Sequence, residues 1–274
     1  MALRVLTALL GLPVLLGAVW LGFPYLTILV GVVALLALRE FYGLAPELAT
    51  YRGLTLIGIL YTLLFLVGGQ FADPWYQYSP GIAFAALVFI AVPWLMARRG
   101  RNGKVAMVPF VVAGPVYVGF LLSHGLALRE LDGGADYARD WLLFALLVTF
   151  ATDTGAFLTG RAVGRRHMAP AVSPGKTWEG AAGGFVWSAG AAAGLGALLQ
   201  LGTPVWQATL VGTAVGAMAQ LGDLAESRVK RASGVKDTGA LLPGHGGLLD
   251  RLDSIVFTLP VVYYLVALVL KPSS

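Results

Sequence analysis

Apolar runs of bilayer-crossing length recur along almost the whole chain. A spanning helix needs about 20 mostly apolar residues. Nine segments meet that requirement, at roughly 5–21, 23–39, 53–71, 80–97, 105–127, 141–160, 179–200, 204–222 and 252–270. Only Gly22-Phe23-Pro24 separates the first two. Charged residues make up 12% of the chain, about half their usual share in soluble domains. The bilayer therefore takes the place of a single soluble core. The expected fold is an all-α integral membrane protein, a polytopic helical bundle of about nine transmembrane helices. Residues 1–140 supply N-terminal membrane helices. Residues 141–274 supply C-terminal membrane helices with polar loops, within one integrated membrane domain.

The loops give this count an orientation. Arg98, Arg99, Arg101 and Lys104 lie between the fourth and fifth segments, and Arg161, Arg165, Arg166 and Lys176 between the sixth and seventh. The charged stretch 223–251 lies between the eighth and ninth. With nine spans all three fall on one side, and short basic loops are retained in the cytoplasm. The opposite side carries Asp73 and the acid-leaning stretch 129–140. The N-terminus is then cytoplasmic and the C-terminus outside, and a cell inner (plasma) membrane fits the short loops. A cleaved leader is disfavoured, because the first apolar run exceeds the usual h-region length.

The net charge of +5 does not imply nucleic acid, since the basic residues are confined to those loops. The chain has no cysteine, which excludes disulfides and thiol chemistry. His124, His167 and His245 show no metal-ligand spacing. Small residues recur four apart at Gly180/Gly184, Gly190/Gly194 and Gly212/Gly216, a spacing that permits close helix packing. A homodimer through one such face is compatible with the pattern, which selects no particular face. The stretch from Gly180 to Gly196 is rich enough in glycine and alanine to be expected buried among other helices.

Two polar islands carry the candidate chemistry. The first runs from Asp153 to Glu179. An ionised carboxylate inside an apolar segment costs roughly 2.5–3.5 kcal/mol on insertion scales and needs a partner or a water-filled cavity. Arg161 is the structural partner for Asp153 and a ligand site the functional one. Ser173-Pro-Gly-Lys176-Thr177 looks like the tail of a phosphate-binding loop, but the first glycine of that motif would fall at Pro170. A proline-glycine turn feeding the next helix is the simpler reading. Ser173, Lys176 and Thr177 still suit a phosphate cradle at a helix N-terminus. Glu179 suits the helix dipole.

The second island runs from Gln220 to Asp253. If the eighth helix continues past Asp223, then Glu226, Ser227 and Lys230 share its face. Asp250 and Asp253 are three apart, and the intervening loop is short enough for Asp223 and Asp250 to meet. Paired carboxylates facing phosphates suit Mg²⁺, a hard ion with oxygen ligands. Lys230, Arg231, Lys236 and Arg251 can hold phosphates. His245 sits among glycines that let a ligand approach the backbone. Asp253 reads rather as a helix cap, and Asp250 as a ligand rather than as a partner of Arg251.

This second island closely resembles the signature of the CDP-diacylglycerol synthases, also called phosphatidate cytidylyltransferases. Its positions are Ser227, Lys230-Arg231, Lys236-Asp237, His245-Gly246-Gly247 and Asp250-Arg251-Leu252-Asp253, all at the family spacing. Asp153 with Gly155 and Gly160, the run Ser173 to Gly180, and Gln220 to Ser227 also look like that family. The match covers about residues 150–253.

The resemblance implies that CTP and phosphatidate react to give CDP-diacylglycerol and pyrophosphate, in phospholipid biosynthesis. It implies catalytic roles for Asp223, Asp250, Lys230, Lys236 and Arg251. It implies substrate binding by Asp153, Ser173, Lys176, Thr177, Ser227, Arg231, His245, Gly246 and Gly247. Two metal ions are expected, Mg²⁺ with Asp223 and Asp250 as ligands, and a second of unspecified identity. The motif concerns headgroup chemistry, so an ether-lipid or isoprenoid phosphate is an alternative acceptor. A transporter would account for Asp153 but not for charges pooled on one side, and no inverted halves are visible.

Overall fold

The computed structural model describes residues 2–45, 48, 52–71, 110–241 and 246–270. The fourth apolar segment, the basic loop 98–104 and His245 lie outside the described residues. The chain forms two compact units. One comprises Met1–Ala127 with Asp237–Leu249, the other Leu128–Lys236 with Asp250–Ser274.

The first unit holds α1 (Ala2–Leu21), α2 (Tyr25–Gly43), α3 (Arg52–Gln70) and most of α4 (Phe110–Arg129). The Gly22–Pro24 break does separate the first two helices, because Gly22 adopts a positive φ of 68° that ends α1. Tyr42 of α2 donates its hydroxyl to the Val111 carbonyl at 2.9 Å. Gly119 of α4 packs where a Cβ would come to 2.8 Å of the Thr62 Cα in α3. Residues Pro115–Phe120 of α4 form a π-helical stretch.

The second unit holds α5 (Ala135–Val163), a hairpin of β1 (His167–Ala169) and β2 (Ser173–Thr177), α6 (Trp178–Leu198), α7 (Val205–Ala232) and α8 (Ile255–Leu270). Its buried side chains include Trp141, Phe144 and Val148 of α5. The Trp141 indole donates to the Leu201 carbonyl at 3.2 Å, and the Asp140 carboxylate accepts the Gln200 amide at 2.9 Å. Both tie the start of α5 to the α6–α7 connection.

Glycines set how closely these helices approach. A Cβ on Gly180 would meet the Ala156 carbonyl at 2.9 Å, and one on Gly184 the Ala156 Cβ at 3.1 Å. One on Gly212 would strike the Ala192 Cβ, and one on Gly216 the Ser188 hydroxyl. Gly190 and Gly194 have nothing within 4 Å of such a Cβ. Of the three spaced pairs, two are contact sites and one is open. The expectation that α6 is buried all round is corrected accordingly. Gly180, Gly184, Ser188 and Ala192 form its buried strip, while Trp178, Val186 and Trp187 are exposed.

The described residues include five helices long and apolar enough to cross a membrane: α2, α3, α4, α5 and α6. Leu9–Leu21 and Ile255–Leu270 are shorter apolar helices. The molecule is an all-α membrane protein apart from the antiparallel hairpin, which pairs His167 with Thr177 and Ala169 with Ser173. That hairpin corrects the reading of Ser173–Thr177. Pro174 and Gly175 lie in a strand, and the chain reverses earlier, where the Val172 amide bonds the Ala169 carbonyl at 3.0 Å.

Candidate active site

The site begins with the length of α7. Its apolar part ends near Gly222, yet the helix runs on to Ala232. That extension places Asp223, Glu226, Ser227 and Lys230 along one face, one turn apart. Ser227 donates to the Asp223 Oδ1 at 3.4 Å, and the Lys230 ammonium meets the Glu226 Oε2 at 3.1 Å. The expected continuation and shared face are both present.

The second island then folds back on itself. Asp250 lies in a 3₁₀ turn (Leu249–Arg251), and its Oδ1 lies 2.7 Å from the Lys230 ammonium. Asp250 is therefore partnered by Lys230 across twenty residues of sequence. Lys230 sits between two carboxylates and is largely buried, with 12% of its side chain exposed. Burial alone would lower its pKa, but Asp250 and Glu226 more than offset this and hold it above the ordinary lysine value. Glu226 lies one turn beyond the apolar part of α7. Burial first, then Asp253, push its carboxyl above the usual range, with Lys230 opposing.

The first island arrives on β2. Its Lys176 ammonium lies 2.7 Å from the Asp223 Oδ2. The two islands, some fifty residues apart in sequence, thus meet through a lysine–aspartate pair. Asp153 comes from α5 and accepts a hydrogen bond from the Ser254 hydroxyl at 3.2 Å. Asp253 accepts the Ser254 amide at 2.8 Å. Asp153, Asp223 and Asp253 lie within electrostatic reach of one another.

These groups line one cavity of about 620 Å³ within the second unit. Asp153, Asp223, Asp250 and Asp253 face it together with Arg161, Lys176, Arg251 and Gln220, and Phe150, Ala156 and Phe157 add an apolar wall. Phe157 is 64% exposed. The arrangement combines carboxylate oxygens, fixed cations and an apolar side within one volume. Such a volume can take a polyanion together with a partly apolar molecule.

Several expected residues stand elsewhere. Thr177 lines the cavity, but its hydroxyl accepts the Gly180 amide at 3.1 Å as the N-cap of α6. Glu179 accepts the Arg165 and Arg166 amides at 3.0 and 3.1 Å, a hairpin-to-helix tie. Arg231 donates to the Val172 and Val235 carbonyls at 3.2 and 3.3 Å. Ser173, Ser227, Lys230, Arg231 and Lys236 are not among the cavity's lining residues. Lys236 is exposed at the end of the second unit. Gly246 and Gly247 belong to the first unit. Gly246 has a positive φ of 83°, a conformation natural to glycine.

Among the polar lining residues, Arg161, Gln220, Asp253 and Ser254 were not singled out as ligands from the sequence. Arg161 reads as a structural partner for Asp153, Gln220 as the first residue of the second polar island, and Asp253 as a cap. The i, i+3 spacing of Asp250 and Asp253 was the available sign for the last.

All the acidic donors in the cavity are oxygens, as Mg²⁺ requires. Among the described residues, no three acidic or histidine side chains converge to enclose an ion by themselves. Mg²⁺ is usually held by one or two carboxylates and completed by water and substrate phosphates. Asp223 and Asp250 fit that donor set.

The chain's relatives carry the same chemistry in their names. The sequence model of the cytidylyltransferase family matches residues 2–269. The phosphatidate cytidylyltransferase of Bacillus subtilis (strain 168) is 34% identical over 272 residues, covering 97% of each chain. Those of Staphylococcus haemolyticus (strain JCSC1435) and Staphylococcus aureus (strain COL) are each 33% identical, covering 96% of this chain and 97% of theirs. With the match running almost from end to end, this chain belongs to the cytidylyltransferase family.

Proposed function

We propose that this protein transfers a cytidylyl group from CTP to phosphatidate, giving CDP-diacylglycerol and pyrophosphate, in phospholipid biosynthesis. The observation that carries the reading is the single cavity in which Asp153, Asp223, Asp250 and Asp253 face Lys176, Arg161 and Arg251. Its Phe150 and Phe157 wall suits the lipid partner.

A phosphatidate oxygen attacks the α-phosphorus of CTP. A bond forms between that oxygen and the α-phosphorus, and the α-phosphorus–oxygen bond to the β-phosphate breaks. Pyrophosphate leaves with the bonding pair. No general base is required, because a phosphate monoester is already anionic near pH 7. The protein's work is positioning and charge neutralisation. Lys176, Arg161 and Arg251 hold phosphates within the cavity. Lys230 orients Asp250 by its 2.7 Å contact, and Ser227 and Lys176 orient Asp223. Asp223 and Asp250 would hold Mg²⁺, which when bound would supply positive charge to the phosphate oxygens. Asp153 and Asp253 add negative potential behind that pair.

The finer membrane placement is part of the same proposal. Nine spans put the hairpin and the α7 extension on the cytoplasmic side of the cell's inner membrane, where CTP is available, with the N-terminus on that side too. The basic residues Arg161, Arg165, Arg166, Lys230 and Arg231 support this orientation.

Pyrophosphate release by purified protein in mixed micelles with phosphatidate, CTP and Mg²⁺ tests the reading. Release is expected to require all three, and ATP is not expected to replace CTP. Absence of release with CTP and phosphatidate at any Mg²⁺ concentration would overturn it.

A further inference from the structure

One carboxylate of the first unit stands outside the chemistry described so far. Glu40 lies in the last turn of α2, and its Oε2 accepts two hydrogen bonds from far along the chain. The Leu249 amide donates at 2.8 Å and the Thr238 hydroxyl at 3.3 Å. A single oxygen thereby holds Thr238 and Leu249 beside one another, about two hundred residues away from it in sequence.

The chain fits closely around the other oxygen. A Cβ on Gly239 would come to 2.6 Å of the Glu40 Oε1, so only glycine passes there without displacement. Oε1 is itself buried. Leu249 is 1% exposed, so its side chain is fixed as well as its amide.

Leu249 is the first residue of the 3₁₀ turn that carries Asp250 and Arg251. The first amides of a helical turn have no partner within the turn. Glu40 supplies that partner to the amide immediately before the Asp250 residue. A hydrogen bond to an ionised acceptor is about twice as strong as a neutral one. Asp250 then follows by one peptide link and reaches the Lys230 ammonium at 2.7 Å.

We infer that Glu40 is a positioning residue for the nucleotidyl-transfer site. By holding the Leu249 amide, it fixes the start of the turn that presents Asp250 and Arg251. The inference rests on the cytidylyl-transfer reading for its kinetic part, while its structural part stands independently.

The experiment compares Glu40→Ala, Glu40→Gln and Thr238→Val with the unmodified full-length protein in micelles. Pyrophosphate release from CTP and phosphatidate gives kcat and KM. Hydrogen–deuterium exchange follows peptides spanning Leu249 and, separately, α2 and α3. For Glu40→Ala the expected result is faster exchange confined to the Leu249 peptide, with kcat lowered about 10- to 100-fold, the range typical of supporting residues behind a metal ligand. KM for phosphatidate stays within about twofold on the same reasoning. Glu40→Gln keeps an acceptor and restores part of kcat. Thr238→Val, which leaves the Leu249 bond in place, stays near normal.

Unchanged exchange at Leu249, or faster exchange with unchanged kcat, would overturn the inference. Should Glu40→Ala loosen α2 and α3 as well, Glu40→Gln decides. A loss of its kcat without a local rise in exchange at Leu249 counts against positioning. If the unmodified protein itself releases no pyrophosphate, the transfer reading fails, while the exchange result still reports on the Glu40 contact.

Discussion

Asp250 is the residue on which most of the site's geometry converges. It is 9% exposed, pairs with Lys230 and faces the cavity. Asp250→Asn keeps its shape and removes its charge. Turnover is expected to fall about 100-fold or more, the scale for losing one preorganised electrostatic contact. Lys230 retains Glu226, so the variant's thermal midpoint in micelles is expected to stay close to normal. Near-normal turnover would remove Asp250 from the ion site. Thr177 makes a contrasting case, since its hydroxyl caps α6. Thr177→Val is expected to cost about 1 kcal/mol of stability, read as a lower thermal midpoint, and Thr177→Ser is expected to restore it. Asp153 was legible in the sequence because it interrupts an apolar segment, and Lys176, Asp223, Asp250 and Arg251 because they stand in polar islands at the spacing of a family signature. Glu40 was not. It stands beside Arg39 at a helix end, where a single acid looks unremarkable, and one of its two partners is a backbone amide 209 residues away. Backbone donors leave no trace in residue identity.

Among the helices, glycine spacing predicted close packing correctly in two of its three instances, and the difference lies in partners rather than in spacing. Gly212 and Gly216 face Ala192 and Ser188, whereas Gly190 and Gly194 face open space. The same substitution should therefore have opposite consequences. Gly190→Ala or Gly194→Ala is expected to leave stability unchanged or raise it by up to about 1 kcal/mol, the helix-propensity gain. Gly212→Ala or Gly216→Ala is expected to lower it by about 1–3 kcal/mol through overpacking. Thermal midpoints of the four variants in one detergent would make the comparison. Equal shifts would mean that α6 and α7 do not approach as described. The β1–β2 hairpin was hidden for a related reason. Ser173-Pro-Gly reads locally as a turn, and the strand exists only because His167–Ala169 lies antiparallel to it. Pairing with the neighbouring strand overrides the local preference of a proline-glycine pair.

For the whole molecule, α5 supplies a ruler. Its 29 residues extend about 43 Å at 1.5 Å per residue, more than the roughly 30 Å of a bilayer's hydrocarbon. Its two ends should therefore meet opposite aqueous phases. With no native cysteine, single replacements at exposed Asp132 and exposed Arg165 can report this directly. An impermeant thiol reagent added to sealed vesicles is expected to label one and not the other, with Asp132→Cys reached from outside the cell. Labelling of both from one face would overturn the orientation and the span count behind it.

Asp153 lies ten residues before Val163, the last residue of this helix, a distance of about 15 Å along the axis. On the proposed orientation, that sets the acids of the cavity back from the cytoplasmic end of the helix. Read that way, the cavity is an inlet opening from the cytoplasmic face. A charged nucleotide sinks into it to meet a lipid that need hardly rise, so that the meeting of two immiscible reactants is settled by the shape of the shoreline.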